Sequence, residues 1–73
     1  MKRYLHKSNI YYIAYDDEHS CEVITQCVPK YLETVLDMGF SPVDPETFEP
    51  VSGIAPLHVL YNKFIHGEIA LVR

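Results

Sequence analysis

The first third of the chain has the hydrophobic pattern of β-strands. Tyrosine and isoleucine dominate residues 3–15, with an interruption at Ser8 and Asn9 that predicts a bulge or a turn. Residues 10–15 and 20–26 are predicted strands, and the second places Cys21, Val23 and Thr25 on one face. The polar residues 16–19 between them have the length of a hairpin turn, so the pattern predicts an antiparallel hairpin.

The pattern changes to that of a helix between residues 28 and 40. Three apolar residues have the spacing i, i+3, i+4 and form one stripe: Leu32, Val35 and Leu36. Pro29 suits the first helical position, and Gly39 suits the left-handed residue that ends a helix, with Phe40 folding back as in a Schellman motif. A helix of about ten residues is not stable alone in water, so we expect its apolar stripe to pack on the hairpin.

Residues 41–53 predict a loop, because they contain three prolines and no sustained periodicity. Asp44 can cap a single helical turn that begins at Pro45. Phe48 is the aromatic residue of this segment, and we expect it to anchor the loop to the core. Loops of this length are unusual in a small domain and are often functional.

Residues 54–66 fit either a helix or a strand. The helix is favoured, with Ser52 as its cap, Gly67 as its stop and four residues on its buried face: Leu57, Leu60, Tyr61 and Phe64. The alternative is a strand over residues 59–65 that turns at Gly67. Residues 68–73 predict a strand that pairs with the hairpin. The chain is thus expected to form one small α+β domain over residues 1–73, an antiparallel sheet covered by one or two helices in the order ββααβ, with ββαββ as the alternative.

Apolar side chains fall on both faces of the first strand of the predicted hairpin. Ile10, Tyr12 and Ala14 lie on one face, and Tyr11, Ile13 and Tyr15 on the other. A sheet with one solvated face should alternate instead. Helices could cover both faces, which 73 residues can hardly achieve; the tyrosines could contact a partner; or they could lie on the surface with their hydroxyl groups in water.

Composition and charge narrow the classes of function. The chain is 48% hydrophobic and 22% charged, as folded proteins are, and no apolar run approaches the ~20 residues that span a bilayer. The basic N-terminal residues are not followed by an apolar stretch, so we expect no secretory signal and a cytoplasmic location. A net charge of −4 argues against direct binding of nucleic acid but suits a partner protein with a basic or nucleic-acid-binding surface.

The cysteines and histidines do not form a recognisable metal site. On one strand, Cys21 and Cys27 would lie roughly 20 Å apart, beyond the reach of a disulfide, so we expect reduced thiols. His19 and Cys21 are a plausible ligand pair that Cys27 or His6 could complete, but structural zinc sites use two such pairs. We therefore expect no metal and no cofactor.

Catalytic residues are not expected either. Acid–base catalysis needs a carboxylate held in an apolar pocket, whereas Asp16 and Asp17 are predicted to be solvated on a turn. A thiol nucleophile needs a lowered pKa and an orienting group, and nothing in the sequence supplies them.

These observations favour a non-catalytic protein-binding module, an inhibitor or adaptor that occludes the surface of a partner protein. The candidate contact residues are tyrosines and carboxylates: Tyr11, Tyr12, Tyr15, Asp16, Asp17, Glu18, Glu46 and Glu49. In size and charge the chain resembles inhibitors that phages and mobile elements encode, such as anti-CRISPR proteins. A structural homodimer is the alternative function, and a metal- or thiol-dependent enzyme is the third.

Overall fold

The protein is built on a five-stranded antiparallel sheet with the strand order β1-β2-β3-β5-β4. A computed structural model describes residues 2–53 and 56–73. The strands are β1 (Lys2–Lys7), β2 (Tyr11–Asp16), β3 (Cys21–Cys27), β4 (Ser41–Val43) and β5 (Ala70–Val72). The helices are α1 (Leu32–Asp37), which continues a 3₁₀ turn at Pro29–Tyr31, and α2 (Leu57–Ile65). The predicted α+β class with an antiparallel sheet is confirmed.

The first three strands form a meander. The predicted hairpin is confirmed as β2 and β3, which pair from Asp16 opposite Cys21 to Tyr11 opposite Cys27. The interruption at Ser8 is a turn, because the Ser8 hydroxyl accepts the backbone N–H groups of Ile10 at 3.1 Å and Tyr11 at 3.2 Å. The residues before it are therefore a separate strand, β1, which pairs with β2.

The predicted order ββααβ, and its alternative ββαββ, are both wrong. Three strands precede α1, and a further strand, β4, lies between the helices inside the segment predicted to be a loop. A three-residue strand that contains Pro42 is too short to show periodicity, and it exists because β5 lies beside it. The C-terminal strand does pair with the hairpin as predicted, with Val72 opposite Val23 and Leu71 opposite Ile24.

Both helices end as their glycines predict. Gly39 has φ +105°, its N–H donates to Leu36 at 3.0 Å, and the Phe40 N–H donates to Val35 at 3.4 Å, which is the Schellman pattern. At the end of α2, Gly67 has φ +73° and its N–H donates to Phe64 at 3.2 Å.

The start of α2 differs from the prediction. Residues 57–65 form the favoured helix, but Ser52 does not cap it: the residue before the helix is Pro56, without a side-chain cap. Ile54 and Ala55, the first residues of the predicted segment, lie outside the described residues. Leu57 was predicted to be buried and is 43% exposed, whereas Leu60 is buried.

The helices cover one face of the sheet and form the main core there. Its buried members come from strands, helices and connections: Ile13, Ile24, Cys27, Leu32, Val35, Phe40, Leu60, Ile69 and Leu71. Leu32 and Val35 belong to the predicted apolar stripe of α1, so the expectation that this stripe packs on the sheet is confirmed. We call this side the helix face.

The opposite side, the loop face, is covered in part by the segment after β4. Val23 and Val43 are buried although the pairing directs them away from the helices. The segment turns back beside β4, where the Val51 N–H donates to Pro42 at 3.1 Å. Before this return, Phe48 stacks on His19 in the β2–β3 turn. We infer from this contact that the segment crosses the loop face, and we attribute the burial of the two valines to it.

Candidate protein-binding surface

The β2–β3 turn is closed by the carboxylate of Asp16. Its Oδ1 accepts the backbone N–H groups of Glu18 at 3.0 Å and His19 at 3.3 Å, and its Oδ2 lies 3.1 Å from His19 Nδ1. Asp16 is only 7% exposed. The expectation that this carboxylate is solvated is therefore wrong, because the turn itself uses both of its oxygens.

The environment of Asp16 favours its charged form. The side-chain hydrogen bond with His19 is the largest influence and lowers the pKa of Asp16 below its ordinary value. Burial acts in the opposite direction, and the backbone N–H groups of His19 and Glu18 lower the pKa further. Asp17 beside it is exposed, and its Oδ1 lies 3.1 Å from a guanidinium nitrogen of Arg3.

The second acidic segment is organised by Asp44. Its Oδ1 accepts the N–H groups of Glu46 at 2.8 Å and Thr47 at 3.1 Å, while the Phe48 N–H donates to the Asp44 carbonyl at 2.8 Å. This is the single capped turn that the sequence predicts. The backbone N–H of Thr47, followed by that of Glu46, lowers the pKa of Asp44. Glu46 and Glu49 are exposed on this turn.

A ring contact joins the two acidic segments. His19 and Phe48 stack with ring centroids 3.7 Å apart and an angle of 10° between the ring planes. Phe48 therefore anchors its loop to the β2–β3 turn. The expectation that it would pack on the core is wrong, because it does not belong to the core cluster on the helix face. The contact places the exposed carboxylates of the two turns at one end of the molecule, and we call this set the acidic end: Asp17, Glu18, Glu46 and Glu49.

Backbone strain coincides with this contact. Ser20 has φ +54° and Phe48 has φ +60°, and they are the two non-glycine residues with positive φ in the described ranges 2–53 and 56–73. Such conformations cost of order 1 kcal/mol or more each and tend to collect at functional sites. One follows His19 directly, and the other is its stacking partner.

The three candidate tyrosines do not share a surface. Tyr11 lies on the helix face between two rings, with its centroid 4.7 Å from that of His6 and 5.0 Å from that of Tyr31. Tyr15 also lies on the helix face, and Arg3 covers its ring at 5.1 Å. Of the three, Tyr12 alone is on the loop face.

Tyr12 belongs to a small aromatic and cationic cluster that the sequence did not reveal. Its ring meets that of Tyr4 edge to face, with centroids 5.9 Å apart. The ammonium group of Lys7 lies 4.4 Å from the Tyr4 centroid and 6.0 Å from that of Tyr12. Residues on neighbouring strands meet here because of the β1–β2 register, which opposes Tyr4 to Ala14 and Lys7 to Tyr12. Only recognition of β1 as a separate strand would have found this cluster.

A metal ion could be held by Asp16, Glu18 and His19. Among the described residues this is the one group whose potential ligand atoms all lie within 4.8 Å of one another. It shares His19 with the predicted ligand pair but does not include Cys21. The Asp16 oxygens and His19 Nδ1 are already engaged in the hydrogen bonds of the turn, so an ion would have to displace them.

The environment of Cys27 disfavours the thiolate form of its side chain. Cys21 and Cys27 lie at opposite ends of β3, as the sequence predicts. Burial raises the pKa of the Cys27 thiol, and its Sγ donates to the Val28 carbonyl at 3.2 Å. A raised pKa disfavours the thiolate that a cysteine nucleophile requires.

An open groove lies at the opposite end of the sheet from the β2–β3 turn. Its volume is about 600 Å³, and it lies between β3 and the last turn of α2. Its lining includes exposed apolar side chains: Ile10, Val28 and Ile65. The Tyr61 hydroxyl closes part of it by donating to the Cys27 carbonyl at 3.0 Å.

Neither α1 nor α2 is long and apolar enough to cross a membrane, and the same holds for every helix in residues 2–53 and 56–73. Comparison with known proteins gives no match, since no protein-family model, no curated protein and no solved structure is similar to this chain.

Proposed function

We propose that this protein is a non-catalytic binding module whose acidic end docks on a basic patch of a partner protein and occludes it. The observation that carries the proposal is the stack of His19 on Phe48, which joins two acidic segments that are distant in the sequence. Inhibition follows by steric exclusion, because the covered basic or nucleic-acid-binding surface of the partner is no longer accessible to the partner's own ligand.

The arrangement of the carboxylates supports this proposal. Asp16 and Asp44 bind backbone N–H groups inside the turns, and this leaves the exposed carboxylates Glu18, Glu46 and Glu49 available for a partner. The turns are therefore ordered before binding, so less conformational entropy is lost in the complex. Complementary charges of this kind raise association rates and select the partner.

The test compares two charge-neutralised variants of the full chain. One carries Glu18→Gln, Glu46→Gln and Glu49→Gln; the control carries Glu33→Gln, Asp37→Asn and Glu68→Gln, which removes three exposed carboxylates elsewhere. Proteins that the unmodified chain captures from its native cells are identified, and their affinities for all three chains are measured at low and at raised salt. We expect the first variant to bind about tenfold more weakly and the control to bind as the unmodified chain does.

Equal binding by all three chains would exclude the acidic end as the contact surface. An affinity that does not fall as salt rises would exclude the electrostatic mechanism.

A structural homodimer is the second candidate, because in residues 2–53 and 56–73 no strand pairs with the outer edge of β1. Sheet edges readily pair with a second copy of the same strand. Sedimentation over a range of concentrations distinguishes the two candidates, because a protein that is monomeric at every concentration cannot be an obligate dimer.

A further inference from the structure

The two lateral edges of the sheet differ in how they end. At the β4 edge, Val43 forms a bridge with Pro50, and the Val51 N–H donates to Pro42 at 3.1 Å. The chain itself therefore covers that edge. At the other edge, β1 pairs with β2 on one side, and in the described part of the chain no strand lies on its outer side.

β1 is twice as long as β4 and exposes apolar side chains. It spans the six residues Lys2–Lys7, whereas β4 spans three. Tyr4 is 53% exposed and Leu5 is 54% exposed, and the register with β2 shifts between Tyr4 and His6. An outer edge of this length presents backbone N–H and C=O groups to which an extended peptide can add as a further strand.

The charge of β1 is opposite to that of the whole chain. Three of the six lysines and arginines of the protein lie in this strand, although the net charge of the chain is −4. The register opposes Arg3 to Tyr15 on the helix face and Lys7 to Tyr12 on the loop face. Positively charged side chains therefore lie on both faces at this edge. The Arg3 side chain is 64% exposed and pairs with Asp17 at 3.1 Å, whereas Lys7 lies over the ring of Tyr4.

A second copy of β1 is a less favourable occupant of this edge than an acidic segment. Each copy carries three lysines and arginines in this strand, so pairing two copies would bring strands of like charge together. Like charges on paired strands destabilise the pair. An extended segment with glutamate or aspartate opposite these residues would instead form favourable cross-strand pairs.

We propose that the β1 edge is a second binding site, which takes up an extended acidic peptide segment of another protein as a sixth strand. The backbone ladder provides affinity, Arg3 and Lys7 select negative charge on the two faces, and Tyr4 provides apolar contact. The site shares no residue with the proposed contacts Glu18, Glu46 and Glu49. Arg3 does pair with Asp17 of the acidic end, so Lys7 is the residue whose substitution tests this edge separately.

The experiment uses two synthetic peptides of equal length built from threonine and valine. One carries glutamates at positions on both faces, and the other carries lysines at the same positions. We expect the glutamate peptide to bind the full chain, to protect backbone amides of β1 from hydrogen exchange, and to bind more weakly at raised salt. A charged edge that only prevents aggregation would bind neither peptide, and that result would overturn the proposal.

A matched pair of variants tests the role of charge. Lys7→Glu reverses one charge at the edge, and Lys30→Glu makes the same change on the exposed side of the 3₁₀ turn. We expect Lys7→Glu to weaken binding of the glutamate peptide at least about threefold and to strengthen binding of the lysine peptide. Lys30→Glu should change the affinity for either peptide little. The peptide does not add to this edge if the two substitutions change its affinity equally, or if it protects only amides that lie outside β1.

Discussion

The two faces of the sheet are buried by different means. On the helix face, nine residues pack into one cluster with α1 and α2, and most of that burial is apolar. On the loop face, Val23 and Val43 lie under a segment that is fastened by polar turns and by the stack of Phe48 on His19. The first arrangement resembles the core of any small α+β domain, whereas the second depends on a few contacts at its far end.

The two faces therefore contribute unequally to stability. Apolar packing on the helix face supplies the free energy of folding, because the hydrophobic effect scales with buried apolar area. The loop face carries the cluster of Tyr4, Tyr12 and Lys7, and the acidic end lies beside it at the β2–β3 turn. Under the proposed functions, the helix face mainly stabilises the fold, and recognition takes place at the acidic end and at the β1 edge.

The largest expected effect is a difference between adjacent residues of β3 that point to opposite faces. Ile24→Ala leaves a cavity in the main core and should lower the free energy of unfolding by about 3–4 kcal/mol, while Val23→Ala should lower it by about 1–2 kcal/mol. Urea denaturation of both variants measures this. Equal losses would mean that the loop face is packed as tightly as the helix face.

A smaller effect is expected where the loop is fastened. Phe48→Ala removes the stack on His19 and should lower the free energy of unfolding by about 1–2 kcal/mol. Phe48→Gly removes the same ring but suits the positive φ at this position, so it should be more stable than the alanine variant by up to about 1 kcal/mol. Thermal unfolding ranks the two. An alanine variant more stable than the glycine variant would contradict the strained backbone.

The smallest expected effect is the contribution of Asp16 to the loss of stability at acidic pH. Because the pKa of Asp16 is lower in the folded chain than in the unfolded chain, its stabilising contribution is complete above its ordinary pKa and is lost as the pH falls through the lowered value. Asp16→Asn should therefore flatten the fall of stability below about pH 4. Unfolding measured over acidic pH tests this, with the exposed helix residue Asp37 changed to Asn as the control. An unchanged acid profile in Asp16→Asn would show that the turn does not depend on the charged carboxylate.

Local features of the fold could be predicted because a few neighbouring residues determine them. The hairpin follows from two segments of strand-forming residues around a polar turn, and the helix ends follow from Gly39 and Gly67. The capped turn at Asp44 is also local, since its side chain binds N–H groups two and three residues ahead.

The candidate site was predictable only in part. The carboxylates of both acidic segments were recognisable as candidates, but their proximity depends on the contact of His19 with Phe48. The three tyrosines alternate between faces, so they could not form one surface. The contacts of Arg73 could not be predicted for the same reason. Its guanidinium group donates to the Met38 carbonyl at 2.8 Å and pairs with Glu22 at 2.7 Å, and both partners are distant in the sequence.

The sequence alone determined the α+β class, the hairpin, α1 and the glycine at the end of each helix, because those depend on periodicity and on residues within one turn of each other. It favoured a helix for α2 but left a strand as the alternative. The tertiary structure decided that β5 lies between β3 and β4 and that Phe48 reaches the β2–β3 turn. It also decided that the segment after β4 covers one edge, while no strand within residues 2–53 and 56–73 covers the outer side of β1. Pairing of β3 with β5 joins residues almost fifty positions apart, such as Val23 and Val72. Contacts of that range are selected by how the whole chain buries its apolar surface, and no short segment carries that information.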